Sequence, residues 1–311
     1  MPLLDPNQPS RIAILTAAAR AYTSHEPDPT VRNPDWLADP LLSPDELALL
    51  DNHPMSRAVN QDYRIAAIDP DVSGLARPLL VATRYVDDRL NRALRDGITQ
   101  FVILSAGFDS RPYRLRPLFL GKKVIELDHA ATQQLKRRRV ETVLGAPPPF
   151  LSYLEIDLAR AGSPDGLAAV LRPIAKQKTF FIWESASMHH REAVVQATLR
   201  AMALAGPGSL LVMDFVAMSQ VEKVNRDPAS PQVRWDASWG EPWVFGVPDG
   251  RQESFFGDAG WKSREFLETG GAEATRRYLV RRDGTVFGPP PGAPGTGSED
   301  YHARVLIELG V

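Results

Sequence analysis

The chain predicts a doubly wound α/β fold with a mostly parallel central sheet, and three observations carry the prediction. Five short apolar runs alternate with helix-forming segments between residues 101 and 215. The first run, Phe101-Val102-Ile103-Leu104, stops at Ser105-Ala106-Gly107 and is followed by the charged residues Asp109 and Arg111. A buried parallel strand ends in this way when its carboxyl edge carries a ligand, because glycine lets backbone approach a bound molecule closely. The second run, Lys123 to Asp128, ends in acids, and Asp128 lies 21 residues past Gly107. Nucleotide-binding α/β units place an acid for ribose hydroxyls about 20 residues after the glycine turn. The plainer reading, with Asp128 capping a helix and Gly107 making a tight turn, stands beside it.

The elements follow in order. Arg11 to Tyr22 is an alanine-rich helix former. Pro27 to Pro40 is proline-rich and reads as a surface loop. Ser43-Pro44-Asp45-Glu46 opens a helix through a capping box. A helix from Gly74 to Arg95 feeds the first strand. Residues 1–95 are therefore expected to form a helical lid over the carboxyl edge of a sheet domain, 96–311.

After the second strand, Lys136-Arg137-Arg138-Arg139 reads as a solvated helix face, and Pro147-Pro148-Pro149 ends that helix. Strands follow at Phe150 to Asp157 and Thr179 to Glu184. A helix from Arg191 to Ala205 then leads to a fifth strand, Ser209 to Phe215. Residues 217–262 are an insertion carrying Trp235, Trp239, Trp243, Phe245, Phe255 and Phe256, either a small satellite core or a substrate wall that caps the site. Lys262 to Thr269 reads as a helix stopped by Gly270-Gly271. Ala274 to Val280 and Arg304 to Leu309 read as strands, with a proline-rich loop, Pro289 to Gly295, between them.

Composition narrows the class. The 311 residues are 43% hydrophobic, enough for a full core. A net charge of −2 is not that of a nucleic-acid binder. With 0 cysteines the chain has no disulfide, thiolate metal site or cysteine nucleophile. It carries no basic-then-apolar leader and no membrane-spanning run, so a cytoplasmic location away from membranes is expected.

Several of these stretches together resemble the leucine carboxyl methyltransferase family and its bacterial small-molecule relatives. They are Arg84-Tyr85-Val86-Asp87-Asp88, the run Gln100 to Leu115 with its Ala-Gly-x-Asp-Ser-Arg-x-x-Arg-Leu core, Glu126-Leu127-Asp128-His129, Asp157-Leu158, Glu184 and Pro207-Gly208-Ser209. The resemblance implies a seven-stranded class I methyltransferase sheet and S-adenosyl-L-methionine as cofactor. It implies that Arg84 holds the methionine carboxylate and that Ser105, Ala106 and Gly107 touch the methionyl part through backbone. Asp128 is the ribose acid by this resemblance, Asp157 and Leu158 flank adenine, and Glu184 faces the methionine amine. Serine at position 105 departs from the glycine that many family members carry there. Asp109, Arg111 and Arg114 have a second reading as buried ion pairs that fix the loop.

Ser187-Met188-His189-His190 departs from the Tyr-Leu-like pair of most relatives. The histidines have three readings: a general base or substrate contact, polar residues exposed at a helix start, or ligands of a divalent metal together with His129, Asp214 or His302. Arg20, Arg111 and Trp243 are the candidate substrate contacts. The acceptor is expected to be a small carboxylate-bearing metabolite of bacterial natural-product biosynthesis. It would be methylated either on an acid oxygen, which needs no base, or on the carbon beside the ketone of a 2-oxo acid, which does. The rivals are a nicotinamide-dependent oxidoreductase, which wants a full Gly-x-Gly-x-x-Gly turn that Ser105 to Ser110 does not supply, and a non-catalytic cofactor-binding relative.

Overall fold

The computed structural model describes residues 7–63, 69–163, 166–227, 231–288 and 304–311. Seven strands form one sheet in the order β3-β2-β1-β4-β5-β7-β6. They are β1 (Gln100–Leu104), β2 (Lys123–Asp128), β3 (Leu151–Glu155), β4 (Thr179–Trp183), β5 (Leu210–Phe215), β6 (Lys262–Glu268) and β7 (Val305–Gly310). The first five run parallel, while β7 is antiparallel to both of its neighbours. The strand order reverses between β1 and β4, where an open parallel sheet leaves a crevice beyond its carboxyl ends.

Every residue of β1, β4 and β5 is buried, as a sheet covered on both faces requires. Side chains alternate between two cores. Phe101, Ile103, Phe180 and Ile182 join one core with α1 (Arg11–Ser24) and the long helix preceding β1, whereas Val102, Leu104, Phe181 and Trp183 join the other with the helix after β4.

The N-terminal helices share the first of these cores. After α1 come α2 (Pro44–Ala48), α3 (Pro54–Ala58) and α4 (Pro70–Arg95). The start of α2 is fixed as the residues predict, with the Ser43 N–H donating to the Glu46 carboxylate at 2.9 Å. The proline-rich loop differs from expectation: Val31, Asn33, Asp35 and Leu37 are buried, because this stretch packs under α1 instead of lying on the surface.

After β1 come α5 (Arg111–Arg114) and, after β2, α6 (Ala130–Leu144). The basic run on α6 is not one solvated face. Lys136 is 1% exposed and bonds Glu126 of β2 at 2.8 Å, and Arg139 bonds Glu46 at 2.6 Å, while Arg137 and Arg138 are exposed. The helices α7 (Leu167–Leu171) and α8 (Glu192–Met202) cover the second core. The insertion holds α9 (Met218–Asn225), α10 (Pro231–Ser238) and α11 (Gln252–Gly257). Its aromatics divide: Trp239 enters the first core, Phe245, Phe255 and Phe256 the second, and Trp243 a small cluster with Met188, Val216, Val221 and Val224.

The C-terminal part reverses two expectations. Lys262 to Glu268 is the edge strand β6, and Ala272–Tyr278 is a helix, α12. Charges on Lys262, Arg264, Glu265 and Glu268 resemble a helix's solvent face, but an edge strand carries them too, since charge blocks pairing with another chain. In α12, Glu273 in the first turn and Arg276 and Arg277 in the last complement the helix dipole, and Gly271 precedes the helix instead of ending one. The Pro289 to Gly295 loop and His302 lie outside the described residues.

Candidate active site

A cavity opens at the carboxyl ends of β1, β2 and β4. Its floor is the turn after β1. There Ser105 and Gly107 both take left-handed backbone, with φ of 49° and 43°. Glycine adopts this at no cost, and serine does so under strain. The turn is tied to β2 through Asp128, whose carboxylate accepts from the Gly107 N–H at 2.5 Å and the His129 N–H at 2.6 Å. Burial pushes the Asp128 carboxyl up, and these two N–H groups oppose the rise. Asp128 therefore ties the turn to β2 without capping the helix that follows, whose N-cap is His129, and it still presents acceptor lone pairs, because a carboxylate has about four.

Arg111 is the electrostatic centre. Its Nε donates to Asp87 at 2.9 Å and its Nη1 to Asp109 and Glu184, each at 2.6 Å. Burial alone would lower the Arg111 pKa, but Asp109, Glu184 and Asp87 together raise it well above its ordinary value. Burial likewise pushes Asp109 up, and Arg111 and Lys136 reverse this, holding it below the usual carboxylate range. Glu184 stays raised by burial despite Arg111. Arg114 donates to Asp87 at 2.7 Å, and Arg20 of α1 donates to Asp35 at 2.8 Å and to the Phe108 carbonyl at 3.0 Å. The ion-pair reading of Asp109, Arg111 and Arg114 describes these contacts, and all three also line the cavity.

Of the residues singled out in the sequence, Ser105, Ala106, Gly107, Asp128, Asp157, Leu158, Glu184, His189, His190, Arg20 and Arg111 line this one cavity. Two do not. Leu79, Thr83 and Asp87 form an i, i+4 stripe on α4, of which Leu79 and Thr83 face the cavity and Asp87 meets Arg111. Arg84 is rotated by about 100° from that stripe, at 3.6 residues per turn, and its Nη1 donates to the Arg32 carbonyl at 2.9 Å. Trp243 is spent on the cluster behind Met188 and does not reach the cavity wall.

The wall also contains residues the sequence did not flag. Asp35 was hidden in a loop read as surface. Glu241, from the insertion, lies at the start of α1: its carboxylate accepts from Ser10 Oγ at 2.6 Å and from the Arg11 N–H at 2.8 Å. Nothing local in Trp239-Gly240-Glu241-Pro242 signals that contact, which joins positions 230 residues apart.

The histidines are not exposed helix-start residues. His189 closes a short 3-10 turn, Ser187–His189, and is 8% exposed. Its Nδ1 lies 3.3 Å from the Pro242 carbonyl, and its Nε2 is buried without a hydrogen-bond partner among the described residues. Burial, then His190 and Arg304, hold its pKa down at about 3. No group of three metal-ligating side chains comes together among the described residues. Asp214, one of the suggested partners, instead accepts from Arg304 Nη1 at 2.7 Å and from the Ser185 N–H at 2.6 Å.

A family model described as leucine carboxyl methyltransferase matches residues 13–228. The chain belongs to the leucine carboxyl methyltransferase family. Relatives within reach of it are named as S-adenosyl-L-methionine-dependent methyltransferases. YktD of Bacillus subtilis is 26% identical over 76% of this chain and 81% of its own, and a Parafrankia protein is 27% identical over 86% and 82%. Among solved structures, a Streptomyces avermitilis protein is 15% identical with a TM-score of 0.49, covering 85% of this chain and 95% of its own. The magnesium protoporphyrin IX methyltransferase of Synechocystis, with bound S-adenosylhomocysteine, is 11% identical with a TM-score of 0.45, covering 76% and 86%.

As a member of this family the chain is an S-adenosylmethionine-dependent methyltransferase, and its cavity suits the cofactor. The wall carries six carboxylates, Asp35, Asp109, Asp128, Asp157, Glu184 and Glu241, against three guanidiniums, Arg20, Arg111 and Arg114. That negative excess complements a ligand bearing a sulfonium and an ammonium. Among the described residues no helix is long and apolar enough to cross a membrane.

Proposed function

We propose that the enzyme methylates a small carboxylate-bearing metabolite in bacterial natural-product biosynthesis, on an acid oxygen or on the carbon beside the ketone of a 2-oxo acid. The observation behind this reading is the roof of the cavity. Ser10, Ile12, Ala13, Thr16 and Arg20 of the α1 region and Glu241 of the insertion all form its wall, so the space beside the strand ends is closed in as a low-mass acceptor requires.

In this reading Asp128 holds the ribose hydroxyls, Asp157 and Leu158 flank adenine, and Glu184 faces the methionine ammonium. The methionine carboxylate falls to Arg20 or Arg111, since Arg84 stands outside the cavity. Bound there, the cofactor supplies an activated methyl on a good leaving group. The protein's share is to hold an acceptor in line and keep water out. Arg20 and Arg111 both line the cavity, so the one that does not hold the methionine carboxylate is placed to orient an acceptor carboxylate.

The test is a panel of 2-oxo acids, aromatic acids and phenols, beside a peptide ending in a leucine carboxylate, with S-adenosylhomocysteine release measured and the methyl located by NMR. Transfer to a panel member supports the reading, and transfer to the peptide alone overturns it.

A further inference from the structure

The two adjacent histidines have different surroundings. His189 ends its 3-10 turn against the Pro242 carbonyl, whereas His190 follows on extended backbone, with φ of −112° and ψ of 150°. Among charged side chains Arg304 acts on His189, and Asp157 acts on His190.

Packing brings His190 and Asp157 to the same part of the wall. His190 stands two residues before α8, and α8 packs on the 3-10 turn Leu158–Arg160, which Asp157 caps by accepting from the Ala159 N–H. Leu158 and Ala161 share the second core with Val195 and Leu199, and a Cβ on Gly162 would lie 3.5 Å from the Ala197 Cβ. The chain after β3 and the start of α8 are therefore two sides of one slot at the cavity wall, where Ile156, Leu158 and Ala186 supply apolar surface. His190 lines the cavity there and is half-buried. Its ring nitrogens have no hydrogen-bond partner among the described residues, and neither is sealed off from the open space. Burial lowers its pKa against the pull of Asp157, so the ring is neutral near pH 7.

Resting on the placement of adenine beside Asp157 and Leu158, we propose that His190 is a cofactor contact, its imidazole stacked on the face of the adenine, and not a base for the acceptor. An adenine has a polar edge and two flat faces. Asp157 can accept from the amino group on that edge, which leaves the faces to the slot's other residues. A neutral, flat ring among aliphatic side chains suits a face. The transferable methyl is carried on sulfur, beyond the ribose from the base, so a side chain that grips adenine is separated from the reacting carbon. The sequence reading that paired both histidines with the acceptor then holds for neither nitrogen of His190.

The experiment is calorimetry on the full chain with S-adenosylhomocysteine and no acceptor, so that affinity reports cofactor contacts alone. His190→Leu should weaken binding by at least about fivefold, the low end of base–aromatic stacking, while His190→Phe, which keeps a flat ring, should stay within about threefold of native. His190→Gln keeps a hydrogen-bonding group without the ring and should bind as weakly as His190→Leu. Native-like binding by His190→Leu overturns the proposal. So does recovery by glutamine where phenylalanine fails, or an equal loss in all three variants, which a merely structural role would give. The parent placement has its own arm. Asp157→Asn keeps an oxygen to cap the turn and should narrow the preference for S-adenosylhomocysteine over its hypoxanthine counterpart, in which a carbonyl replaces the amino group. No narrowing overturns the adenine placement itself, whereas narrowing together with native-like binding by His190→Leu overturns the histidine contact alone.

Discussion

Gly107 and Ala13 are in such close contact that a Cβ on the glycine would lie 3.1 Å from the alanine Cβ. The first helix is thus pressed directly onto the turn that ends β1, and the glycine's φ of 43° adds a second demand. Gly107→Ala should cost roughly 1–3 kcal/mol, the usual range for left-handed strain, read as a lower denaturation midpoint. Cofactor affinity should fall with it, because the Gly107 N–H fixes Asp128. An unchanged midpoint would show that the turn and α1 yield freely.

The placement of Arg84 predicts a contrast between two arginines. Arg84→Ala should leave S-adenosylmethionine affinity within about twofold in calorimetry. Arg20→Ala removes a cavity guanidinium that also holds the Phe108 carbonyl at 3.0 Å, and should weaken binding by about 1.5–3 kcal/mol, as loss of a charge-assisted bond does. The reverse order would return the carboxylate to Arg84.

Arg304 and Asp214 form a buried pair, with side chains 4% and 1% exposed. Arg304 Nη1 also donates to Ser185 Oγ at 2.6 Å, on the left-handed turn that follows Glu184. Arg304→Met should destabilise by about 3–5 kcal/mol because it strands a buried carboxylate. Arg304→Met with Asp214→Asn should recover at least about 1 kcal/mol of that in a double-mutant cycle by chemical denaturation. Strict additivity would mean the pair is not coupled.

His189 predicts a pH signature. Its folded pKa of about 3 lies below the unfolded imidazole value of roughly 6.5. The stability gained by keeping it neutral is therefore complete above pH 6.5 and is lost as pH falls toward 3, where only the unfolded chain takes the proton. At about 1.4 kcal/mol per pH unit, the stability difference between the native enzyme and His189→Gln should shift by roughly 2 kcal/mol between pH 6.5 and 5. No shift would mean the ring is solvated in the folded state.

Much of the fold was legible because its signals are local. The Phe101 to Leu104 run, the glycine turn and the acid 21 residues on each report a strand's burial or its end, and the structure gathers Gly107, Asp128, Asp157, Glu184 and both histidines around one cavity. The errors fall where local chemistry is ambiguous. A charged edge strand and a charged helix face have the same composition, so Lys262 to Glu268 and Ala272 to Tyr278 were exchanged. Lys136 looked solvated because its partner, Glu126, lies on another element.

By itself the sequence determined the strand and helix alternation, the ligand edge of the sheet and the types of group that stand there. Tertiary structure decided which of those groups face inward. A rotation of about 100° per residue on a helix separates Thr83 from Arg84, and a carbonyl 53 residues away selects the His189 tautomer. Neither follows from residue type, since side-chain direction and hydrogen-bond partner are set only when distant elements pack.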